Sequence, residues 1–201
     1  MTPTEIAKRI AKSPFQGRRR IVALAGPPAS GKSTLSQSIA AQLSGCAVVP
    51  MDGFHLDNTL LNKRGLIERK GAPETFDVAG FAHLLSRLKN EREVVYPVFD
   101  RSLDKAIAGV GLVGADTETV IVEGNYLLLD TGEWARLGAL WDFTIKLNVP
   151  EQVLRQRLLK RWRDHGFTES AARQKTEGND LPNQRICVQH SRAADLDVGE
   201  I

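Results

Sequence analysis

A chain of 201 residues with 42% hydrophobic and 25% charged residues has the length and balance of one globular domain with its own core, which excludes a disordered tract or a fibre. Its net charge of +3 is only mildly basic and fits a small anionic substrate better than a nucleic acid. The two cysteines, Cys46 and Cys187, stand at no metal-ligand or redox spacing, so two buried thiols in a reduced, cytosolic setting are expected.

The opening "MTPTEIAKRI" has no apolar run suited to a signal peptide or membrane span, and a soluble intracellular protein is expected. Thr2 is placed as a helix cap, with Pro3 in the first turn and Glu5 at the capping-box position, so a short helix precedes "RRRIVALAG". "IVALA" is continuously apolar, the pattern of a strand buried on both faces. After the loop that follows, Leu35, Ile39 and Leu43 recur every four residues, predicting a helix that stops at Gly45. "CAVVPM" reads as the second strand, and "FAHLLSRLKN" as a helix packing Leu84, Leu85 and Leu88. "VVYPVF" is strand-like, and "TVIVEG" at 119–124 is another buried strand. "DFTIKLNVP" is the next strand, followed by a basic helix "EQVLRQRLLKRWRDHG". "RICVQ" is predicted as the last strand. Alternating strands and helices of this kind predict an α/β fold with a mainly parallel sheet covered on both faces.

The chemistry concentrates in "GPPASGKS". Gly26 and Gly31 are four residues apart and are followed by Lys32 and Ser33, between a buried strand and a helix. Inward-pointing backbone N–H groups, the helix N-terminus and the lysine together suit a polyphosphate, and the serine hydroxyl suits magnesium. In an open α/β sheet the ligand sits beyond the carboxyl ends of the strands. Asp52 and Glu123 end two of them. Each carboxylate could join the magnesium shell or accept the proton of an attacking hydroxyl; an acid at a strand end is also often a cap or turn residue, but the phosphate loop beside them favours the functional role. On the basic helix, Leu154, Leu158 and Trp162 form a packing face. Arg155, Arg157, Lys160, Arg161 and Arg163 occupy the other faces. Most of these charges read as a solvated surface, with one or two arginines free to close over a transferred phosphoryl group.

The loop "GPPASGKS", the block "MDGFHLDNTLLNKRGLIERKGAPETFD" and "VIVEGNYLL" together resemble the P-loop kinase superfamily that holds uridine kinase, phosphoribulokinase and bacterial pantothenate kinase. "KGAPETFDVAGF", "PVFDRSLDKAIAG", "VIVEGNYLLLD" and "NDLPN" are similar to small bacterial nucleoside/nucleotide kinase-like proteins labelled as fructose-transport-system kinases. The resemblance runs from about residue 20 to the end. It implies a single P-loop kinase domain over residues 1–201, with a doubly wound five-stranded sheet and a small helical lid at about 155–175. ATP and Mg2+ are the implied cofactors.

Carried across, the resemblance makes Gly26, Pro27, Pro28, Ala29, Ser30, Gly31, Lys32, Ser33 and Thr34 the nucleotide loop. Ser33, Asp52 and Glu123 are the implied metal site, Asp52 is the catalytic base, and Lys32 binds the terminal phosphates. "RWRDHGFTE" resembles a lid segment, which singles out Arg163 as the lid arginine with Arg161 as second candidate, and "HSRAAD" is expected to border the adenine. On the acceptor side the candidates are His55, Phe99, Asp100, Arg101 and Tyr126.

Departures from the relatives bear on the acceptor. Where pantothenate kinases have a tyrosine, serine and histidine after a Pro-Val pair, this chain has Phe99, Asp100 and Arg101. Uridine kinases carry an aspartate before the proline of the next block, where Gly71 and Ala72 stand here. The resemblance to fructose-transport-system kinases implies a sugar or sugar-like alcohol as the small-molecule acceptor, with a nucleoside or pantothenate-like alcohol as the alternative. The rival of another class is a nucleotide-hydrolysing switch, but "NKRG" at 62–65 is not a guanine-reading motif and comes too early in the chain. Neither a nucleic acid nor a membrane is an expected partner, and a monomer or homodimer is expected.

Overall fold

The structure is a computed structural model and describes residues 1–199. Helix α1 (Pro3–Lys12) begins at the expected capping box: Thr2 Oγ1 accepts from the Glu5 N–H, and Glu5 accepts in return from the Thr2 N–H at 2.8 Å. Strand β1 (Arg20–Ala25) leads through the glycine loop into α2 (Lys32–Ala40), and β2 (Cys46–Pro50) follows. The short helix α3 (Asn58–Lys63) and α4 (Val78–Asn90) lead to a hairpin of β3 (Val94–Asp100) and β4 (Lys105–Val113). Then come β5 (Thr119–Gly124), β6 (Phe143–Leu147), α5 (Glu151–Asp164), α6 (Glu169–Lys175), α7 (Leu181–Gln189) and β7 (Leu196–Val198).

Five strands form one sheet in the order β2-β5-β1-β6-β7, and every pairing in it is parallel. The predicted α/β class and five-stranded sheet are thus found. Strand β1 lies in the middle, so its side chains alternate between two cores. Ile21, Ala23 and Ala25 face the α4 side with Phe81, Leu84, Leu85 and Leu88. Val22 and Leu24 face Ile6, Ile10, Leu35, Ile39, Leu154 and Leu158 of α1, α2 and α5. That two-sided burial is why the strand is apolar at every position rather than at every second one. No helix among the described residues is long and apolar enough to cross a membrane.

Three expectations are corrected. "RICVQ" is not the last strand but part of α7. Pro182 sits at its start, Asn183, Gln184 and Cys187 are buried at three- and four-residue spacing, and Val188 is exposed. The spacing of the buried set is helical, and the Ile186/Val188 alternation was a coincidence of local sequence. The last strand is instead the short β7. Helix α2 ends at Ala40 rather than at Gly45, and β2 ends at Pro50, so Met51–Phe54 form a separate 3-10 turn.

The hairpin is tied to the body by Arg19, which is fully buried. Its guanidinium donates to the carbonyls of Leu88, Glu91 and Gly114 at 3.0, 2.5 and 2.9 Å, and also to that of Arg92. One side chain thereby joins the end of α4 to both open ends of the hairpin.

Candidate active site

The glycine loop crosses the carboxyl edge of the sheet between β5 and β6. Gly26 donates its N–H to the Gly124 carbonyl at 3.3 Å. A Cβ on Gly26 would lie 2.9 Å from Ser30 Oγ and 3.1 Å from the Leu147 Cβ, so a side chain there would have to displace Ser30 and crowd Leu147. Gly31 caps α2 with φ of +95°, a conformation that costs glycine little and other residues more. Pro27, Pro28 and Ala29 complete the loop, and Thr34 lies in the first turn of α2. The first N–H groups of a helix have no partner within it, and here they open onto the loop. Ser30 Oγ is buried with no hydrogen-bond partner. An orphaned hydroxyl inside a cradle of N–H groups fits a phosphate oxygen.

Lys32 is only 8% exposed. Its Nζ donates to the Pro27 carbonyl at 2.9 Å and to Asn125 Oδ1 at 2.8 Å, so the ammonium is held over the loop. Burial pushes its pKa down, while Glu123 and then Asp52 oppose the shift. Ser33 Oγ donates to Glu123 Oε1 at 3.0 Å. Burial raises the Glu123 carboxyl, and Lys32 opposes it. A hydroxyl and a carboxylate side by side at the mouth of a phosphate cradle are hard oxygen donors, which suits magnesium held jointly with phosphate oxygens.

Asp52 stands on the 3-10 turn beside this pair. A Cβ on its neighbour Gly53 would lie 2.0 Å from the Pro97 carbonyl oxygen, so the glycine lets the turn rest directly on the hairpin. Arg101 reaches from the hairpin tip to Asp52, with Nη2 and Oδ2 3.3 Å apart. His55 Nδ1 is 2.8 Å from the Asp52 carbonyl, which assigns the proton to Nδ1 and leaves Nε2 as an acceptor. The ring lies between Phe76 and Phe99, with centroids 4.1 and 4.7 Å away. Its pKa is lowered by burial, with Asp52 opposing.

The two arginines expected in a lid part company. Arg161 is half-buried on α5 and lies among Arg101, Asp180 and Asp52; burial and then Arg101 lower its pKa. Arg163 is exposed and pairs with Glu169 at 3.5 Å, at the start of α6. The structure therefore brings Arg161 to the site and turns Arg163 away, which reverses the expected ranking. Helix α5 is fastened to the start of α7 by Trp162, whose Nε1 donates to Asp180 Oδ2 at 2.7 Å. Asp180 ends the π-helical turn Thr176–Asp180 that joins α6 to α7.

Two acceptor-side candidates are also corrected. Tyr126 is fully buried, packed edge-on against Phe76, and donates its hydroxyl to the Gly71 carbonyl at 2.5 Å. It is a core residue, and burial raises its pKa well above the usual value. Asp100 closes the hairpin tip: its Oδ1 accepts from the Ser102 hydroxyl at 2.6 Å and from the Ser102 and Leu103 N–H groups at 2.8 and 3.0 Å. His55, Phe99 and Arg101 remain grouped near Asp52.

A cavity of about 570 Å³ adjoins Gly26 and Pro27 and is lined by Leu147–Pro150 together with Gln184, Cys187, Val188 and Ser191. Of "HSRAAD", Ser191 borders it. Asn125 and the segment 147–150 escaped the sequence reading. Both follow strands at the carboxyl edge of the sheet, and that position was the available signal. Of the two thiols expected to be buried, Cys187 is buried and Cys46 only half-buried; burial raises Cys46 to about 11 and Cys187 to about 12, which keeps both protonated.

The chain is 49% identical to a Silicibacter sp. TM1040 protein whose crystal structure is described as a "putative fructose transport system kinase", with a TM-score of 0.95 over 98% of this chain and 99% of that one. It is 33% identical over 180 residues to the Schizosaccharomyces pombe "Putative uridine kinase C227.14", covering 83% of this chain and 77% of the relative. The chain belongs to the P-loop kinase superfamily of uridine kinase, pantothenate kinase and phosphoribulokinase. As a P-loop kinase it is an ATP-dependent phosphotransferase. It is also 39% identical over 187 residues to the uncharacterized Escherichia coli protein YggC, spanning 90% of this chain and 78% of that one. No family model matches the chain.

Proposed function

We propose that this P-loop kinase transfers the γ-phosphoryl group of ATP to a hydroxyl of a small sugar-like metabolite, within a single domain whose lid is α5 and α6. The loop from Gly26 to Thr34 holds the phosphates through N–H groups and Ser30. Lys32 spans their outer oxygens, and the cavity beside Pro27 takes the base. Ser33 and Glu123, with Asp52 on their open side, would hold magnesium, which when bound would withdraw charge from the phosphoryl oxygens.

Asp52 takes the proton of the acceptor hydroxyl as its oxygen bonds to the γ-phosphorus and the bond to the bridging oxygen of ADP breaks. Negative charge then spreads over the phosphoryl oxygens, where Lys32 from below and Arg161 from the lid stabilise it. Arg161 suits this role because its guanidinium is half-buried and lies beside another cation, Arg101, so an anion between them relieves a repulsion. His55 Nε2 accepts a second hydroxyl of the acceptor, and Phe99 forms the wall beneath it. The sugar-like acceptor rests on the name carried by the Silicibacter protein.

The observation that carries this reading is the position of Asp52. Its carboxylate is about one-third exposed and stands on a turn fixed by Gly53, on the open side of the cradle that holds Lys32. A nucleotide switch does not need such a base. The test is ADP release from MgATP with D-fructose, other sugars, uridine and pantothenate, each against an acceptor-free control. Release that one alcohol stimulates strongly is the expected result. ATP hydrolysis of equal rate with and without every alcohol would instead indicate a switch.

A further inference from the structure

Lys70 lies outside the phosphate cradle, on the segment that precedes Gly71. Its side chain is only 16% exposed. The Nζ donates to Asn58 Oδ1 at 2.6 Å and to the Asp104 main-chain carbonyl at 2.8 Å, and it pairs with Asp104 Oδ2 at 2.8 Å. All three ammonium donors are thereby used. The same group lies 5.2 Å from the centre of the Phe99 ring, and Asn58 Nδ2 donates to the Asp104 carboxylate at 2.8 Å.

Asp104 is held by its side chain and its main chain at once, and its backbone shows why that matters. Its φ is +52°, and among the described residues only Ala29 is another non-glycine residue with positive φ. Aspartate enters this left-handed region more readily than most residues but less freely than glycine, so bonds to its side chain and main chain add to holding it there. Lys70 is itself anchored: its carbonyl accepts from Asn179 Nδ2 at 2.9 Å, and the next carbonyl, of Gly71, accepts from Tyr126.

The turn that ends at Asp104 carries Arg101, which reaches Asp52. Asp100 caps the entry of that turn, and Lys70 grips its exit. We propose that Lys70 is a positioning residue for the acceptor side of the site, clamping Asp104 in its left-handed backbone and so holding Arg101 against Asp52. The functional half of this inference rests on the reading of Asp52 as the base; the clamp itself does not.

Lys70→Met keeps an unbranched apolar stem of similar length and removes the donors. Hydrogen exchange of the whole protein reads the clamp without any acceptor. In Lys70→Met the peptide spanning residues 100–106 is expected to exchange about tenfold faster, while residues 26–34 stay unchanged. Asp104→Ala should open the turn likewise. Asp104→Gly should keep it closed, because glycine takes the left-handed conformation unaided. Exchange within twofold of wild type in Lys70→Met overturns the clamp.

Kinetics with MgATP and D-fructose, uridine or pantothenate read the positioning role. For whichever alcohol is phosphorylated, Lys70→Met should raise its KM about tenfold and leave the KM of ATP unchanged. In an Arg101→Ala background it should add nothing further, because both substitutions disable one unit. Additive effects, or an ATP KM that shifts equally, overturn the positioning role. If none of the three alcohols accepts phosphate, the acceptor reading fails by itself, and the exchange comparison still decides the clamp.

Discussion

Replacing Asp52 by Asn separates chemistry from stability more sharply than any other change in this site. The amide is nearly isosteric but cannot take a proton. Positioned general-base catalysis is worth about 10²–10⁴ in rate, which is roughly 3–5 kcal/mol of barrier. The structural loss is small by comparison. The contact removed is the Arg101–Asp52 ion pair at 3.3 Å, whose side chains are 58% and 31% exposed, and ion pairs of that exposure contribute about 0–1 kcal/mol. The turn keeps its shape because the Gly53 contact and the His55 ring bond to the Asp52 carbonyl do not involve the Asp52 side chain. In a protein of this size that corresponds to a fall in Tm of less than about 4 °C. The assay is kcat with the alcohol that supports wild-type turnover, alongside binding of a fluorescent ATP analogue and a thermal melt. The expected outcome is a loss of at least about 100-fold in kcat with nucleotide affinity and Tm nearly unchanged. A kcat within tenfold of wild type would refute the argument and place the base elsewhere.

Three further outcomes are expected. Arg161→Met should lower kcat by about 10²–10³, the loss seen when one preorganised charge donor is removed, whereas Arg163→Met should stay within threefold of wild type; equal effects would show that the lid rotates on binding. Arg19→Leu should destabilise the fold by about 3 kcal/mol or more, because the guanidinium serves four main-chain carbonyls at the base of the hairpin, and urea unfolding measures it. His55 contributes a pH dependence of stability. Burial holds its folded pKa below the unfolded value, with Asp52 and Asp104 opposing and Lys70 reinforcing the shift. The unfolded chain therefore binds the proton first, and stability is full above about pH 6.5 and declines as pH falls toward the folded pKa. His55→Phe should flatten the slope of unfolding free energy between about pH 7 and 5, and an unchanged slope would remove His55 as its source.

The phosphate loop was legible in the sequence because its whole signal lies within eight consecutive residues. The conformation that Gly31 needs, the helix start and the lysine are local features, and the tertiary structure adds only their surroundings. The same holds for the capping box of α1 and for the apolar runs of β1 and β5, where burial on both faces leaves a continuous pattern. The β4 strand left no such trace. Its residues are mostly exposed or half-buried, since the hairpin stands away from the main sheet, and a strand without a buried face carries no alternation to read.

What only the tertiary structure decided is which side chains meet. Arg161 and Arg163 are two positions apart on one helix, hence about 200° apart around its axis, and their order in the chain says nothing about which faces the nucleotide. That choice was made by Leu154 and Leu158, which are fully buried against the sheet and so fix how the helix is rotated. Lys70 and Asp104 are 34 residues apart, and Tyr126 reaches Gly71 across 55. These partners are set by how the hairpin and the turns settle on a shared core. Local sequence carries backbone conformation and burial pattern, whereas the pairing of distant charges depends on the packed positions of whole elements.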